Sequence, residues 1–190
     1  MDLAFVEEFD NIRSILQYVQ AGQEGGNAFA DVVSGDVTPS GKMTDTWAKD
    51  YYDYPGAEVY SYKSGDLMKE KYEEGIFVGY RYFDTFGKEV SYPFGHGLSY
   101  TTFEYAVEEA AIDGDRCRMK VSVKNTGKVA GREAVQLYVK APEGGMDKPA
   151  KELKAFGKTR LLKPGESQTL TLEWNVMDMA SFNEKSSSWE

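Results

Sequence analysis

One cysteine and one histidine occur in a chain of 190 residues, and their scarcity removes whole classes of chemistry. Cys117 has no partner for an intrachain disulfide, and His96 alone cannot complete a Cys/His set with structural-zinc spacing. No metal site is expected. No stretch approaches the roughly 20 apolar residues of a membrane-spanning helix, and Met1 to Asp10 carries acids where a signal peptide carries positive charge. Lys and Arg number 22 against 31 Asp and Glu, for a formal net charge of -9. Such a surface repels phosphate backbones and anionic lipid, so neither nucleic acid nor a membrane is an expected partner. The lone cysteine and the absence of a leader in this stretch favour the cytoplasm. Gly22, Gly25 and Gly26 lack the GxGxxG spacing, and Glu24 among them would repel a phosphate. No cofactor is expected.

Aromatics are plentiful, with 13 Tyr and 10 Phe, and hydrophobic residues make up 41% of the chain, a composition that supports a packed core. Ile12 to Val19 is short, apolar and β-branched at its ends, and reads as a strand running into the Gly22 to Gly26 turn. Ala28, Phe29, Val32 and Val33 fall at helical spacing, with Gly35 where a helix often ends in a left-handed residue. Turn chemistry follows around Pro39 and Gly41, and Met43 to Trp47 alternates like a short second strand beside the first. Lys49 to Lys71 is Tyr-rich, broken by Pro55, Gly56 and Gly65, and its periodicity supports neither helix nor strand.

After Phe103 the texture is that of strands. Met119, Val121 and Val123 share one face of an alternating run, as do Val135, Leu137 and Val139 in Ala134 to Val139. Phe103 to Ile112, Leu153 to Leu161 and Gln168 to Trp174 are further strands, separated by turns at Asn125 to Gly127, Pro142 to Gly145 and Lys163 to Glu166. The expected fold class is mainly β: a fibronectin type III-like, immunoglobulin-like β-sandwich over 101–190, preceded over 1–100 by a partial α/β strand–helix–strand segment with the Tyr-rich loop and a connector. A strand–helix–strand piece alone cannot cover both faces of a parallel sheet, so more protein is expected on the N-terminal side. Ser186 to Glu190 reads as an unfinished strand, and the sandwich is expected to lack its last strand.

The run Gly22-Gln23-Glu24-Gly25-Gly26-Asn27-Ala28 through Ala30-Asp31-Val32-Val33 and Gly35 to Lys42 resembles the signature near the end of the α/β domain in glycoside hydrolase family 3. Further blocks follow in family order: Glu74 to Asp84 (EGIFVGYRYFD), Tyr92 to Phe103 (YPFGHGLSYTTF), Val123 to Gly127, Gly131 to Val139, Lys151 to Phe156 and Leu162 to Ser167. The resemblance covers nearly the whole chain. It departs at Thr44 to Trp47 and in the Tyr-rich loop, which leaves substrate preference open.

The resemblance implies a β-glucosidase-like exo-acting parent, with a β-xylosidase as the alternative, and β-linked gluco- or xylo-oligosaccharide as substrate. Retaining glycosidases use two carboxylates about 5–5.5 Å apart. By resemblance the nucleophilic Asp lies in a (β/α) barrel domain and the acid/base Glu upstream of Gly22, so no catalytic residue is carried over to this chain. The barrel domain of the same parent is the implied partner.

Candidate contacts can still be drawn from the residues. Tyr51, Tyr52 and Tyr54 could stack the C–H faces of a sugar; the competing reading packs them between domains. Glu24, at a strand–helix turn, could face a ligand, or with Gln23 could satisfy free N–H groups of the helix's first turn. Adjacent Glu73 and Glu74 would point opposite ways in a strand, and His96 and Cys117 read as packing residues. The chain therefore stands as a bracing, non-catalytic portion of a glycosidase that could also serve in a homodimer contact, with a carbohydrate-binding module as the alternative.

Overall fold

The computed structural model describes residues 4–142 and 144–190. Glu143, inside the turn expected at Pro142 to Gly145, lies outside the described residues. The fold is mainly β. Helices α1 (Gly25–Ser34) and α2 (Tyr80–Thr85) and the short strands β1 (Trp47–Ala48) and β2 (Val90–Tyr92) precede a run of longer strands: β3 (Phe103–Asp113), β4 (Arg116–Asn125), β5 (Ala134–Val139), β6 (Glu152–Lys158) and β7 (Ser167–Asn175). A small hairpin, β8 (Phe182–Asn183) and β9 (Ser188–Trp189), follows.

The longer strands form two antiparallel sheets, β3-β4-β7 and β5-β6. Alternation sets their inner faces. Along β4, Cys117, Val121, Val123 and Asn125 are buried while Arg116, Arg118 and Lys124 are exposed, as a period of two requires when only one face meets the core. Val121, Val123, Val135, Leu137, Ala155, Leu162 and Leu172 form that core, with Phe103, Met119, Val139, Leu170 and Trp174 packed around them. Burying side chains of this size contributes about 1.5–3 kcal/mol each relative to exposure. The core is the sandwich interior that alternation predicts, and Cys117 takes its place there.

Three expectations from the first hundred residues change. Ile12 to Val19 is not a strand: it has no regular structure and its apolar side chains are exposed. A strand exists only as part of a hydrogen-bonded ladder, and among the described residues none pairs with this segment. The segment Met43 to Trp47 contributes only its last residue to β1, which pairs antiparallel with β2 and not with a strand at residues 12–19. Glu73 and Glu74 lie in irregular backbone instead of an extended strand, Glu73 facing Lys71 at 4.0 Å.

Helix α1 starts three residues ahead of Ala28, the first residue of its apolar pattern, and ends at Gly35, whose left-handed backbone (φ 88°) returns its N–H to the Val32 carbonyl at 3.2 Å. At the far end, Ser188–Trp189 is the return arm of the β8–β9 hairpin, Phe182 lying edge-on to Trp189 at 5.6 Å.

Candidate functional site

Segments 38–48 and 78–97 fold against the sandwich and form a junction built from side chains. Their mutual contact begins in the backbone, where the Met43 N–H donates to the His96 carbonyl at 2.8 Å and the Gly95 N–H donates to the Met43 carbonyl at 2.7 Å. The crossing is tight enough that a Cβ on Gly97 would collide with the Gly41 carbonyl, and one on Gly95 (φ 81°) would meet the Gln136 amide. Glycine is needed at Gly97 for closeness to that backbone, and at Gly95 for its left-handed conformation.

Charged and aromatic groups then lock the junction to the sheets. Lys42 donates to the Gly97 carbonyl at 3.0 Å and pairs with Glu133 at 2.9 Å. Glu133 is only 5% exposed, so Lys42 takes the place of solvent beside it. Burial, and then the neighbouring Glu133 carboxylate, holds the Tyr105 phenol well above the usual range. On the outer face of β5, the Gln136 amide donates to the Gly95 carbonyl at 3.3 Å and accepts from the Tyr138 hydroxyl at 2.6 Å. Burial, then Tyr80 and Asp84, pushes the Tyr138 pKa up to about 12.

Tyr80, on α2, lies between Phe94 (4.8 Å between ring centres) and Tyr138 (5.7 Å), and its hydroxyl accepts from the Leu153 N–H at 2.8 Å. Arg81 pairs with Glu152 at 3.2 Å and Lys151 with Asp84 at 3.1 Å. Thr38 adds a bond to the Ala130 carbonyl at 2.7 Å. His96 is part of this packing, its ring tilted over Tyr92 at 5.3 Å.

A cavity of ≈ 580 Å³ opens beside the junction. Trp47, Tyr54, Tyr80 and Phe94 supply aromatic wall, and Thr44, Asp45 and Arg81 supply polar groups.

The four sequence-derived contact candidates do not converge. Tyr51 and Tyr52 lie edge-to-face at 5.4 Å, with the Lys63 ammonium 4.3 Å and 4.5 Å from their respective ring centres, a cation–π arrangement that covers one face of each ring. Tyr54 turns inward. Its hydroxyl accepts from the Ala48 N–H and donates to the Thr46 carbonyl, both at 3.1 Å, and its ring meets Phe83 edge-on at 5.5 Å. Glu24 occupies the N-cap position of α1 without capping it; its carboxylate accepts from the Asn27 amide at 2.6 Å. The residues that sequence reasoning missed are Glu133, Gln136, Tyr80 and the cavity wall. Their only local sign was a polar Gln136 on the outward face of β5, which alternation alone reads as solvated.

Comparison with known proteins follows the same architecture. Residues 2–100 match the glycosyl hydrolase family 3 C-terminal domain, and residues 133–190 match a fibronectin type III-like domain. A β-sandwich preceded by two short helices and a two-stranded ladder carries these matches, and the class they define is the C-terminal region of a glycosyl hydrolase. The chain belongs to glycosyl hydrolase family 3.

It is 42% identical over 211 residues to β-glucosidase A of Butyrivibrio fibrisolvens, covering 100% of this chain and 25% of that protein. It is also 41% identical over 180 residues to an exo-α-(1→6)-L-arabinopyranosidase of Bifidobacterium breve, covering 94% of this chain and 23% of that protein. The solved structure of β-glucosidase 3B from Thermotoga neapolitana with α-D-glucose superposes with a TM-score of 0.81 at 52% identity, covering 86% of this chain and 23% of that one. The chain spans about a quarter of the length of these relatives and corresponds to the C-terminal portion of a family 3 enzyme.

Proposed function

We propose that this chain is a non-catalytic, bracing portion of a β-glucosidase-like exo-glycosidase acting on β-linked gluco- or xylo-oligosaccharide. In this reading the nucleophile and acid/base are contributed by a (β/α) barrel and by upstream α/β sequence. The carrying observation is the junction: Lys42–Glu133, Gln136–Gly95 and Tyr80–Leu153 bind residues of the 1–100 part to the sandwich of the 101–190 part. A bracing unit must transmit position between domains without yielding, and buried, fully engaged contacts provide that stiffness.

Relatives named as a β-glucosidase and as an arabinopyranosidase match the same region at similar identity, which suits a part that supports catalysis without choosing the sugar. Within the intact parent, Tyr51 and Tyr52 meet a substrate's outer residues, while Tyr54 serves packing and Glu24 stabilises its own helix turn.

The test is release of p-nitrophenol from aryl β-glucoside and β-xyloside by the 190-residue chain at high concentration, beside the longer parent. The expected result is a silent chain and an active parent. Activity in the chain approaching the parent's would overturn the reading. In the parent, Tyr51→Ala with Tyr52→Ala should raise KM for longer oligosaccharides with kcat little changed, and unchanged kinetics would remove the tyrosines from the cleft.

A further inference from the structure

The cavity beside the junction holds unused hydrogen-bonding capacity. Asp45 is exposed and, among the described residues, forms no hydrogen bond or ion pair; the Thr44 hydroxyl is equally free. Arg81, 39% exposed at its side chain, spends one guanidinium nitrogen on Glu152, and its Nε is itself enclosed, so it can offer a guest only its remaining outer N–H groups. These groups share a wall with the rings of Tyr80, Phe94 and Tyr54. The volume of ≈ 580 Å³ falls within the range of about 300–1,000 Å³ common to small-molecule sites, which likewise combine apolar walls with a few placed polar groups.

The chemistry of the wall narrows the ligand. An apolar guest would leave the Asp45 carboxylate facing it unpaired, at a desolvation cost. An anion would meet that same carboxylate on a chain of net charge -9. A divalent cation would find a single carboxylate, and no group of three or more metal-ligating side chains occurs among the described residues. A neutral polyhydroxylated ring meets none of these objections. Its hydroxyls can donate to Asp45 and accept from Arg81 and Thr44, and its C–H face can lie on an aromatic ring.

We infer that the cavity between Thr44–Trp47 and Val78–Arg81 is a saccharide-binding subsite that takes a mono- or disaccharide, with Asp45 as its principal hydroxyl acceptor. The subsite is separate from the Tyr51–Tyr52 pair. It is also independent of the bracing function, because a chain silent on aryl glycosides can still bind sugar here.

The experiment is titration of the 190-residue chain with cellobiose, read by amide and indole NMR shifts. Saturable shifts confined to residues 44–47, 78–81 and the Trp47 indole are expected. Asp45→Ala should weaken binding at least tenfold, Asp45→Asn less, and Tyr52→Ala not at all. Asp45 has no partner among the described residues, so its variants should keep the thermal midpoint of the unsubstituted chain, and a melting curve for each variant checks this. Absence of saturable shifts, binding unaffected by Asp45→Ala, or shifts centred on Tyr51 and Tyr52 that vanish in Tyr52→Ala would each overturn the subsite.

Discussion

Asn125 shows how much one side chain can organise. It is fully buried, and its amide donates to the carbonyls of Val129 and Leu162, both at 2.8 Å, while its oxygen accepts from the Thr101 hydroxyl at 2.7 Å and the Gly127 N–H at 3.0 Å. Every hydrogen-bonding position of the carboxamide is used, so it stitches the end of β4 to the connector at Thr101 and to the loop that leads to Leu162. Asn125→Ala strips partners from several enclosed groups and should lower stability by about 3 kcal/mol, seen as a lower urea midpoint with an unchanged slope. Asn125→Asp should not rescue it, since a carboxylate would face the carbonyls of Val129 and Leu162. A loss within the roughly 0.5 kcal/mol typical of surface changes would show that the network does not bear on folding. Asparagine before Thr126-Gly127 was legible as a turn; its central place was not, because its partners lie up to 37 positions away.

At the scale of elements, the turn Lys163 to Glu166 joins the loop after β6 to β7 and carries its own charge. The Lys163 N–H and then the Arg160 guanidinium, at 2.9 Å and 2.8 Å, hold the Glu166 carboxyl below its ordinary range. A depressed folded pKa means that this group favours folding above its unfolded value of about 4.3 and loses that contribution as pH falls through the folded value. Glu166→Gln should therefore flatten the acid limb of the stability profile below about pH 5, by slightly lowering stability at neutral pH while leaving the acid end unchanged. An identical acid limb in the two proteins, measured by thermal midpoint against pH, would remove Glu166 from that dependence.

Strands of this kind were readable because alternation is local: Val135 and Leu137 announce their face within a few residues. Ile12 to Val19 misled because its apolar, β-branched character fits a strand, and propensity cannot supply a partner. Tyr54 could not be told from Tyr51 and Tyr52 by spacing, since what turns it inward is the backbone of Thr46 and Ala48.

For the molecule as a whole, the question is whether the connector and the sandwich behave as one body. Bonds between positions 41 to 92 apart in sequence close the junction, and such contacts form only when both parts are in place. The same distance hid the junction from the sequence. Lys42 at the centre is 19% exposed and Glu133 beneath it 6% at their side chains, so removing the lysine leaves a buried carboxylate without its charged partner. Lys42→Met should cost about 3 kcal/mol and, because the parts are coupled, should lower the stability of both together. Hydrogen exchange can read this residue by residue: amides of 43–48 and 80–95 should open with the same free energy as the core amides of β4 and β5, and Lys42→Met should reduce both sets equally. Residues 12–20, exposed and without regular structure, should exchange far faster in both proteins. If Lys42→Met released the connector amides alone and left β4 and β5 protected, the junction would be a surface contact between independent parts, and the bracing function would lose its mechanical basis.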